Sequence, residues 1–408
     1  MAKRKFDSMS VIAVSFLLVL VFEIVVSSFG TYGICYAAPE PPQIEAESYL
    51  LADFKTGRVL MAHNTQTQQI PASLTKIMTL FIAFDEISHG NLSLEDEIQI
   101  SENAWRTEGS KMFVLVGTKV RLEDLIKGIT VASGNDACVA LAEHISGSVS
   151  SFVDRMNQQA QILGLTNTHF VDPHGLSEEN TVTAEDIFTL VREYATRYPD
   201  YLRYHSLKEF TYTPPGEHPI TQYNRNALLS SYDGVYGLKT GYTSKAGYNI
   251  VVLADRGGFS TIAILLGSAK GKAIGEGEKQ RNLYASYMLD YAYDNFAYVE
   301  LSEPNANLGR VRVWKGKAKW ADAIAPSGLG ATVEKENKDG VTYELVFEDN
   351  LQAPLEQGSK IGEAIFKCNG EEIGRMDIVS KESVDKGNIF RVIWDSIARV
   401  FSRSVSRS

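Results

Sequence analysis

Cysteine is scarce in this chain: three residues in 408, at 35, 138 and 368. Cys35 falls in an N-terminal export segment, and the other two fall in different predicted domains. A disulfide framework is therefore excluded, and the fold must rest on its cores. Metal-ligand clusters are missing too. Of seven histidines, His169 and His174 lie close together, but no cysteine pair or third ligand accompanies them, so no zinc site and no cofactor is expected. Excess positive charge is absent: 40 basic against 50 acidic residues give a net charge of −10, which offers nothing to a nucleic-acid partner. There is no internal repeat and no low-complexity tract, which excludes a solenoid or a mostly disordered chain. What remains is ordinary globular composition, 44% apolar and 22% charged, long enough for two or three domains.

The N-terminus carries the pattern of an export signal. Lys3, Arg4 and Lys5 precede an apolar run from Val11 to Phe22, and "GICYAAPEPP" follows. Small residues there predict cleavage between Ala37 and Ala38, so residues 1–37 are assigned as signal peptide. Glu23 and the pair Ser27–Ser28 argue against an uncleaved membrane helix, because a charge in hydrocarbon is costly. Bulky Ile34 before Cys35 argues against lipidation.

Two apolar runs around Lys55–Thr56–Gly57 predict a β-hairpin. From Pro71, apolar residues 74, 77, 78, 81 and 82 recur at helical spacing until Gly90. Two helical stretches break at Ser133–Gly134–Asn135, and amphipathic helices are predicted around 151–165 and 183–198. Strand patterns return at "LKEFTYT" and "YNIVVLADRGGFSTIAILLG", followed by a helix at "EKQRNLYASYMLDYAYDNF". Helices flanked by strands indicate an α+β domain, an antiparallel sheet with helices packed on it, over residues 44–296. Alternating segments with turns at Asp339–Gly340 and Asn369–Gly370 predict a small all-β domain over 297–383. The final stretch, 386–408, gathers Ile389, Phe390, Ile393, Trp394, Ile397, Val400 and Phe401 on one helical arc, with Arg391, Asp395, Arg399, Ser402 and Arg403 opposite. That pattern suits a helix lying flat in a membrane interface; it is too short and polar to span. The alternative is a helix docked on the β domain.

Three short motifs carry the chemistry. "PASLTKIMTL" puts Lys76 three positions after Ser73, on one face of a helix start. A serine hydroxyl is a weak nucleophile without a base beside it, and a lysine serves as that base once burial or other cations hold it neutral. "VASGNDACVAL" places Ser133 and Asn135 at the break between two apolar stretches, where both could face a cleft or simply cap a helix. "YGLKTGYTSKAGYN" places Lys239, Thr240 and Gly241 just ahead of a strand, offering a cation, a hydroxyl and close backbone approach. A tripeptide this cheap also occurs at Lys55, so alone it means little. "GSAKGKA" at 267 lacks the spacing and final hydroxyl of a phosphate loop.

The order S-x-x-K, S-x-N, K-T-G resembles the penicillin-recognising serine acyl-transferases. The flanking "LADFKTGRVLMAHN", "DPHGL" and "NRNALL" are similar to those of low-molecular-mass penicillin-binding proteins, the serine D-alanyl-D-alanine carboxypeptidases. The resemblance covers roughly residues 44–296, and that family's architecture also includes a small β domain and a basic amphipathic tail. It implies that Ser73 attacks the carbonyl between two terminal D-alanines while Lys76 takes its proton. Ser133 would relay a proton toward the leaving amine, with Lys239 nearby. Asn135 would hold the substrate amide and orient Lys76. The N–H groups of Ser73 and Tyr242, beside Gly241, would form an oxyanion hole, and Thr240 and Arg225 would bind the terminal carboxylate.

The implied partners are the peptidoglycan stem peptide, β-lactam inhibitors and a membrane surface met by the C-terminal helix, at the periplasmic face of the inner membrane. Two departures stand out. Family members often carry an arginine on the strand after K-T-G, where this chain has Ser260, with Arg256 a few residues earlier; and Tyr236–Gly237 replaces the usual Asp-Gly. His174 is expected to be a structural loop residue. Three other activities compete. A D,D-endopeptidase would use the same residues. A β-lactamase would need a deacylating glutamate, for which Glu178, Glu179 and Glu185 are the candidates. A catalytically dead wall-binding module would take up no labelled penicillin.

Overall fold

The computed structural model describes residues 38–405 of the chain, and the predicted signal segment lies outside them. The described chain forms two compact units, Ala38–Tyr298 and one from Val299 onward.

The first unit is built on a five-stranded antiparallel sheet. Its strands are β1 (Ser48–Asp53), β2 (Val59–His63), β3 (Val235–Thr243), β4 (Gly247–Arg256) and β5 (Phe259–Ser268), in the order β2-β1-β5-β4-β3. The hairpin between β1 and β2 turns where Asp53 accepts the N–H groups of Lys55 and Thr56. Strands β4 and β5 are almost continuously apolar because both faces are covered. Val251, Leu253, Ile262 and Ile264 point into one core; Ile250, Val252, Ala263 and Leu265 point into the other. Each such aliphatic side chain contributes about 1.5–3 kcal/mol on full burial.

The larger core is filled by α1 (Lys76–Ser88), α2 (Asn135–Ser146), α3 (Val149–Ile162) and α4 (Ala184–Arg197). The opposite face is covered by α5 (Ile274–Asn295), through Ala285, Met288, Leu289 and Ala292. A separate ribbon, Glu209–Tyr212 with Ile220–Tyr223, carries the "LKEFTYT" strand outside the main sheet.

The second unit is a β domain. Its five-stranded antiparallel sheet takes the order 307–312, 320–324, 371–380, 360–368, 341–347. The predicted hairpin at Asn369–Gly370 is there, with both residues at positive φ, 50° and 90°, as a tight two-residue turn requires. The terminal helix α6 (Ile389–Val405) follows. Its Asp395 is 2% exposed and accepts the Lys315 N–H at 2.7 Å, with Arg391 at 3.2 Å and Arg312 at 3.8 Å. Ile389, Phe390, Ile393, Trp394 and Ile397 are all exposed. Over residues 389–398 the side of α6 bearing Asp395 is thus docked and the apolar side faces outward; Arg399, Val400, Phe401, Ser402 and Arg403 lie outside the residues whose side chains are described. Among the described residues no helix is long and apolar enough to cross a membrane.

Candidate active site

The three motifs meet at the free edge of β3. Ser73 sits in the tight turn Ala72–Thr75 that leads into α1. Lys76 begins the helix and is fully buried, with its Nζ 3.0 Å from Ser73 Oγ. Two other atoms contact that nitrogen, Asn135 Oδ1 and the His174 carbonyl, each at 2.7 Å. Both are pure acceptors. In a neutral amine they take its two protons, and the remaining lone pair is left facing the serine hydroxyl. Burial is the first cause that pushes the Lys76 pKa below its ordinary 10.5; Asp172 and Asp136 pull it back and Arg225 lowers it further.

Asn135 is held from both sides. Its Nδ2 donates to Glu108 O at 2.7 Å, and its backbone N–H donates to Ser110 O at 2.7 Å. The loop behind Lys76 is fixed by Asp172, which accepts the N–H groups of His174, Gly175 and Ser177. Gly175 has φ +84° and lies so close to Ala72 O that a methyl group there would sit 1.8 Å from it. The His174 ring has its pKa lowered to about 4 by burial. It is therefore neutral, and its contribution is the carbonyl that holds Lys76, in line with a structural role.

Ser133 follows a wide turn over Gly128–Ala132 and adopts a left-handed φ of 60°, which lets the chain break between the two predicted helical stretches. Its Oγ receives Lys239 Nζ at 3.0 Å, and Lys239 also donates to Thr240 O at 3.0 Å. Burial lowers the Lys239 pKa well below its usual value, with Lys76 and Arg225 adding to the effect. Lys239, Thr240 and Gly241 lie within β3 rather than ahead of a strand. The Lys239 side chain finds its partners at that edge.

That edge has a regular alternation. Leu238 O accepts from His205 and Thr240 O from the Lys239 side chain, both on the side of β3 away from β4. By the period of two along an antiparallel strand, Tyr242 also turns its N–H off the sheet. Gly241 allows the close approach that brings this edge to the nucleophile: a methyl group there would sit 2.8 Å from Pro71 O and 3.1 Å from Ser73 N. Asn249 on β4 fastens the turn by donating to Ile70 O and Pro71 O at 2.9 and 3.0 Å.

These groups surround a cavity of about 110 Å³ lined by Ser73, Ser133, Thr240, Gly241, Tyr242 and Arg225. The lining also includes Arg281, which sequence reasoning missed. Arg281 is 2% exposed, and burial lowers its pKa to about 10, so it remains charged. Among the described residues neither Arg225 nor Arg281 has a carboxylate within ion-pair distance. Two guanidinium groups at one end of a cleft form a receptor for an anion. The signal for Arg281 was a basic residue on the buried stripe of α5, in line with Ala285, Met288 and Ala292.

The expected arginine on the strand after K-T-G is not in the cleft. Ser260 bonds to Asp255 near the opposite end of β5. Arg256 stacks over Tyr232 and Tyr293, 4.5 and 4.7 Å from their ring centres. The displaced position is filled from α5 instead. Tyr236 packs against the core and does not line the cavity. Glu178 pairs with Lys245 at the surface, and none of Glu178, Glu179 and Glu185 lines the cavity.

Comparison with known proteins agrees with this geometry. Residues 36–270 match the D-alanyl-D-alanine carboxypeptidase family, peptidase S11. Residues 296–386 match the penicillin-binding protein 5 C-terminal domain. D-alanyl-D-alanine carboxypeptidase DacA of Haemophilus influenzae is 35% identical over 363 residues, covering 87% of this chain and 89% of that protein. DacF of Bacillus subtilis is 33% identical over 353 residues, covering 84% and 86%. The crystal structure of penicillin binding protein 5 from Haemophilus influenzae superposes with a TM-score of 0.72 at 34% identity, covering 85% of this chain and 99% of that one. Penicillin-binding protein D2 from Listeria monocytogenes, in its ampicillin-bound form, gives 0.54 at 26% identity, covering 62% and 100%.

Proposed function

From the premise that this chain belongs to the serine D-alanyl-D-alanine carboxypeptidase family, we propose that its cleft removes the terminal D-alanine from peptidoglycan stem pentapeptides through an acyl-enzyme on Ser73. The observation that carries the assignment is the buried Lys76 amine, held by Asn135 Oδ1 and the His174 carbonyl at 2.7 Å with its nitrogen 3.0 Å from Ser73 Oγ.

In the first half-reaction Ser73 Oγ bonds to the carbonyl carbon of the penultimate D-alanine as its proton passes to Lys76 Nζ. The developing oxyanion takes the N–H groups of Ser73 and Tyr242; one such donor is typically worth about 2.7–4 kcal/mol. The C–N bond then breaks, and the leaving nitrogen takes the proton that Lys76 received, relayed through Ser133, whose hydroxyl is held by Lys239; Lys76 is left neutral again. In the second half-reaction water attacks the ester as Lys76 accepts its proton, the bond to Ser73 Oγ breaks with that proton returned to it, and the shortened peptide leaves. Thr240, Arg225 and Arg281 bind the terminal carboxylate, and Asn135 aligns the substrate amide. A β-lactam presents the same carbonyl and carboxylate and acylates Ser73 more durably. None of Glu178, Glu179 and Glu185 lines the cavity, which supports slow deacylation of that adduct.

We further propose that residues 1–37 export the protein and that the exposed face of α6 rests in the outer leaflet of the cytoplasmic membrane, leaving the enzyme peripheral. The outward Ile389, Phe390, Ile393 and Trp394 support this reading.

The test uses a diacetylated tripeptide ending in two D-alanines. Free D-alanine should be released, and Ser73→Ala should abolish both release and covalent labelling by penicillin. The acylation rate should rise with pH through the lowered titration of Lys76. Labelling without D-alanine release would leave a penicillin target that is not a carboxypeptidase.

A further inference from the structure

The catalytic motifs form only part of the cleft. Its remaining wall is the start of α5, which contributes Ile274, Glu278 and Arg281 at one-turn spacing. The helix is pressed onto the sheet at Gly277, where a methyl group would sit 2.1 Å from the Tyr248 ring. Tyr248 in turn stacks on Tyr242 at 4.3 Å. The wall is therefore fixed relative to β3 at Gly277, with Ile274, 60% exposed, at its outer rim.

Size and charge both restrict what fits. A cavity of about 110 Å³ has room for about four water molecules. That is far below the roughly 300–1,000 Å³ of pockets for drug-sized ligands. In charge, Arg225 and Arg281 supply two positive groups and Glu278 one negative group. One substrate carboxylate completes the balance, and a second would face Glu278.

We infer that Ile274 and Glu278 are specificity determinants on the leaving-group side, restricting the departing amine to a single small D-amino acid with one carboxylate. This inference rests on the carboxypeptidase reading and deepens it. In a crosslink the leaving amine belongs to a second stem peptide. Its chain must pass Ile274, and its further carboxylates must approach Glu278. Crosslinked peptidoglycan is accordingly a poor substrate, although the residues needed to cut it are all in place.

The experiment compares kcat/KM for two substrates, the diacetyl tripeptide ending in D-Ala-D-Ala and a purified crosslinked muropeptide dimer. The full mature chain is assayed as wild type, Glu278→Gln, Glu278→Lys and Ile274→Ala. The ratio of the two constants is independent of the fraction of active enzyme, so partial loss of folding in a variant does not disturb it. Wild type should favour the tripeptide. Glu278→Gln should raise the dimer-to-tripeptide ratio about tenfold, and Glu278→Lys further, since a like-charge clash is removed and then reversed. Ile274→Ala should raise it independently. Wild type that cuts the dimer as well as the tripeptide, or a ratio unmoved in all three variants, overturns the inference while leaving the carboxypeptidase reading standing. Wild type that releases no D-alanine overturns that reading, and this inference with it.

Discussion

Gly241→Ala tests how the nucleophile is set. The added methyl group would lie 2.8 Å from Pro71 O, 3.1 Å from Ser73 N and 3.3 Å from Ala72 Cβ. Ordinary close C···O approaches are about 3.3 Å, so β3 and the Ser73 turn must separate by roughly half an ångström. Pro71 O cannot simply swing aside, because it accepts Asn249 Nδ2 at 3.0 Å. The two oxyanion donors come from opposite sides of this contact, Ser73 from the turn and Tyr242 from the strand. Each must sit about 2.7–3.1 Å from the oxyanion, and loss of one donor costs about 10²–10³ in rate. A half-ångström opening should therefore slow acylation about 10²-fold, with an over-packing cost of about 1–3 kcal/mol in stability. The assay is the second-order rate of labelling by a fluorescent penicillin, with thermal melts in parallel. Misfolding would lower the labelled amplitude; a widened oxyanion hole lowers the rate at full amplitude. A folded variant acylating within about threefold of wild type would refute the argument that this contact sets the geometry.

Two further outcomes follow from buried polar groups. Burial lowers the His205 pKa from 6.5 to about 3 and the His174 pKa to about 4. The unfolded chain therefore binds protons that the folded one refuses as the pH falls below 6.5, and stability declines over that window by on the order of a few kcal/mol. His205→Asn keeps a donor for Leu238 O and cannot titrate, so urea midpoints should fall less steeply with acid; an unchanged slope would remove His205 from the explanation. At the other end of the chain, truncation after Lys386 should release the protein from anionic vesicles with tripeptide hydrolysis intact. Asp395→Ala should instead retain binding but speed amide exchange in α6, and a truncated protein that still sedimented with vesicles would move the membrane contact elsewhere.

The motif residues were legible because their chemistry restricts residue type. A serine needs a base, a lysine needs a dry neighbourhood, and an anion needs donors. The helix-sheet architecture was legible for a similar reason: Leu74, Ile77 and Phe81 mark one period, and Val341–Phe347 another. What the chain's order concealed was long-range closure. Nothing near Arg281 announces that the first turns of α5 will lie beside Thr240, since that placement depends on how Gly277 meets Tyr248. Ser260 was aligned to a strand position correctly placed in β5 but at its far end. The tail showed its two faces clearly, yet only the contacts of Asp395 with Lys315 N and Arg391 reveal which face docks.

The division of labour among the basic groups has a single origin. Four of them, Lys76, Lys239, Arg225 and Arg281, crowd into one small cleft, with only Glu278 opposing them at its wall. Burial acts on Lys76, Lys239 and Arg281, and Arg225 adds repulsion to both lysines, but lysine yields and arginine does not. An ammonium sheds its proton when desolvated, whereas a guanidinium keeps its own. The same surroundings that hold the two lysines below their ordinary range leave Arg281 charged. Base and anion receptor thus arise together, and each arginine that steadies the substrate carboxylate also helps keep the lysine lone pairs free. An arginine in place of Lys76 could donate to Asn135 and His174 yet could not accept from Ser73, so the positive charge of the cleft would grow while its nucleophile fell silent.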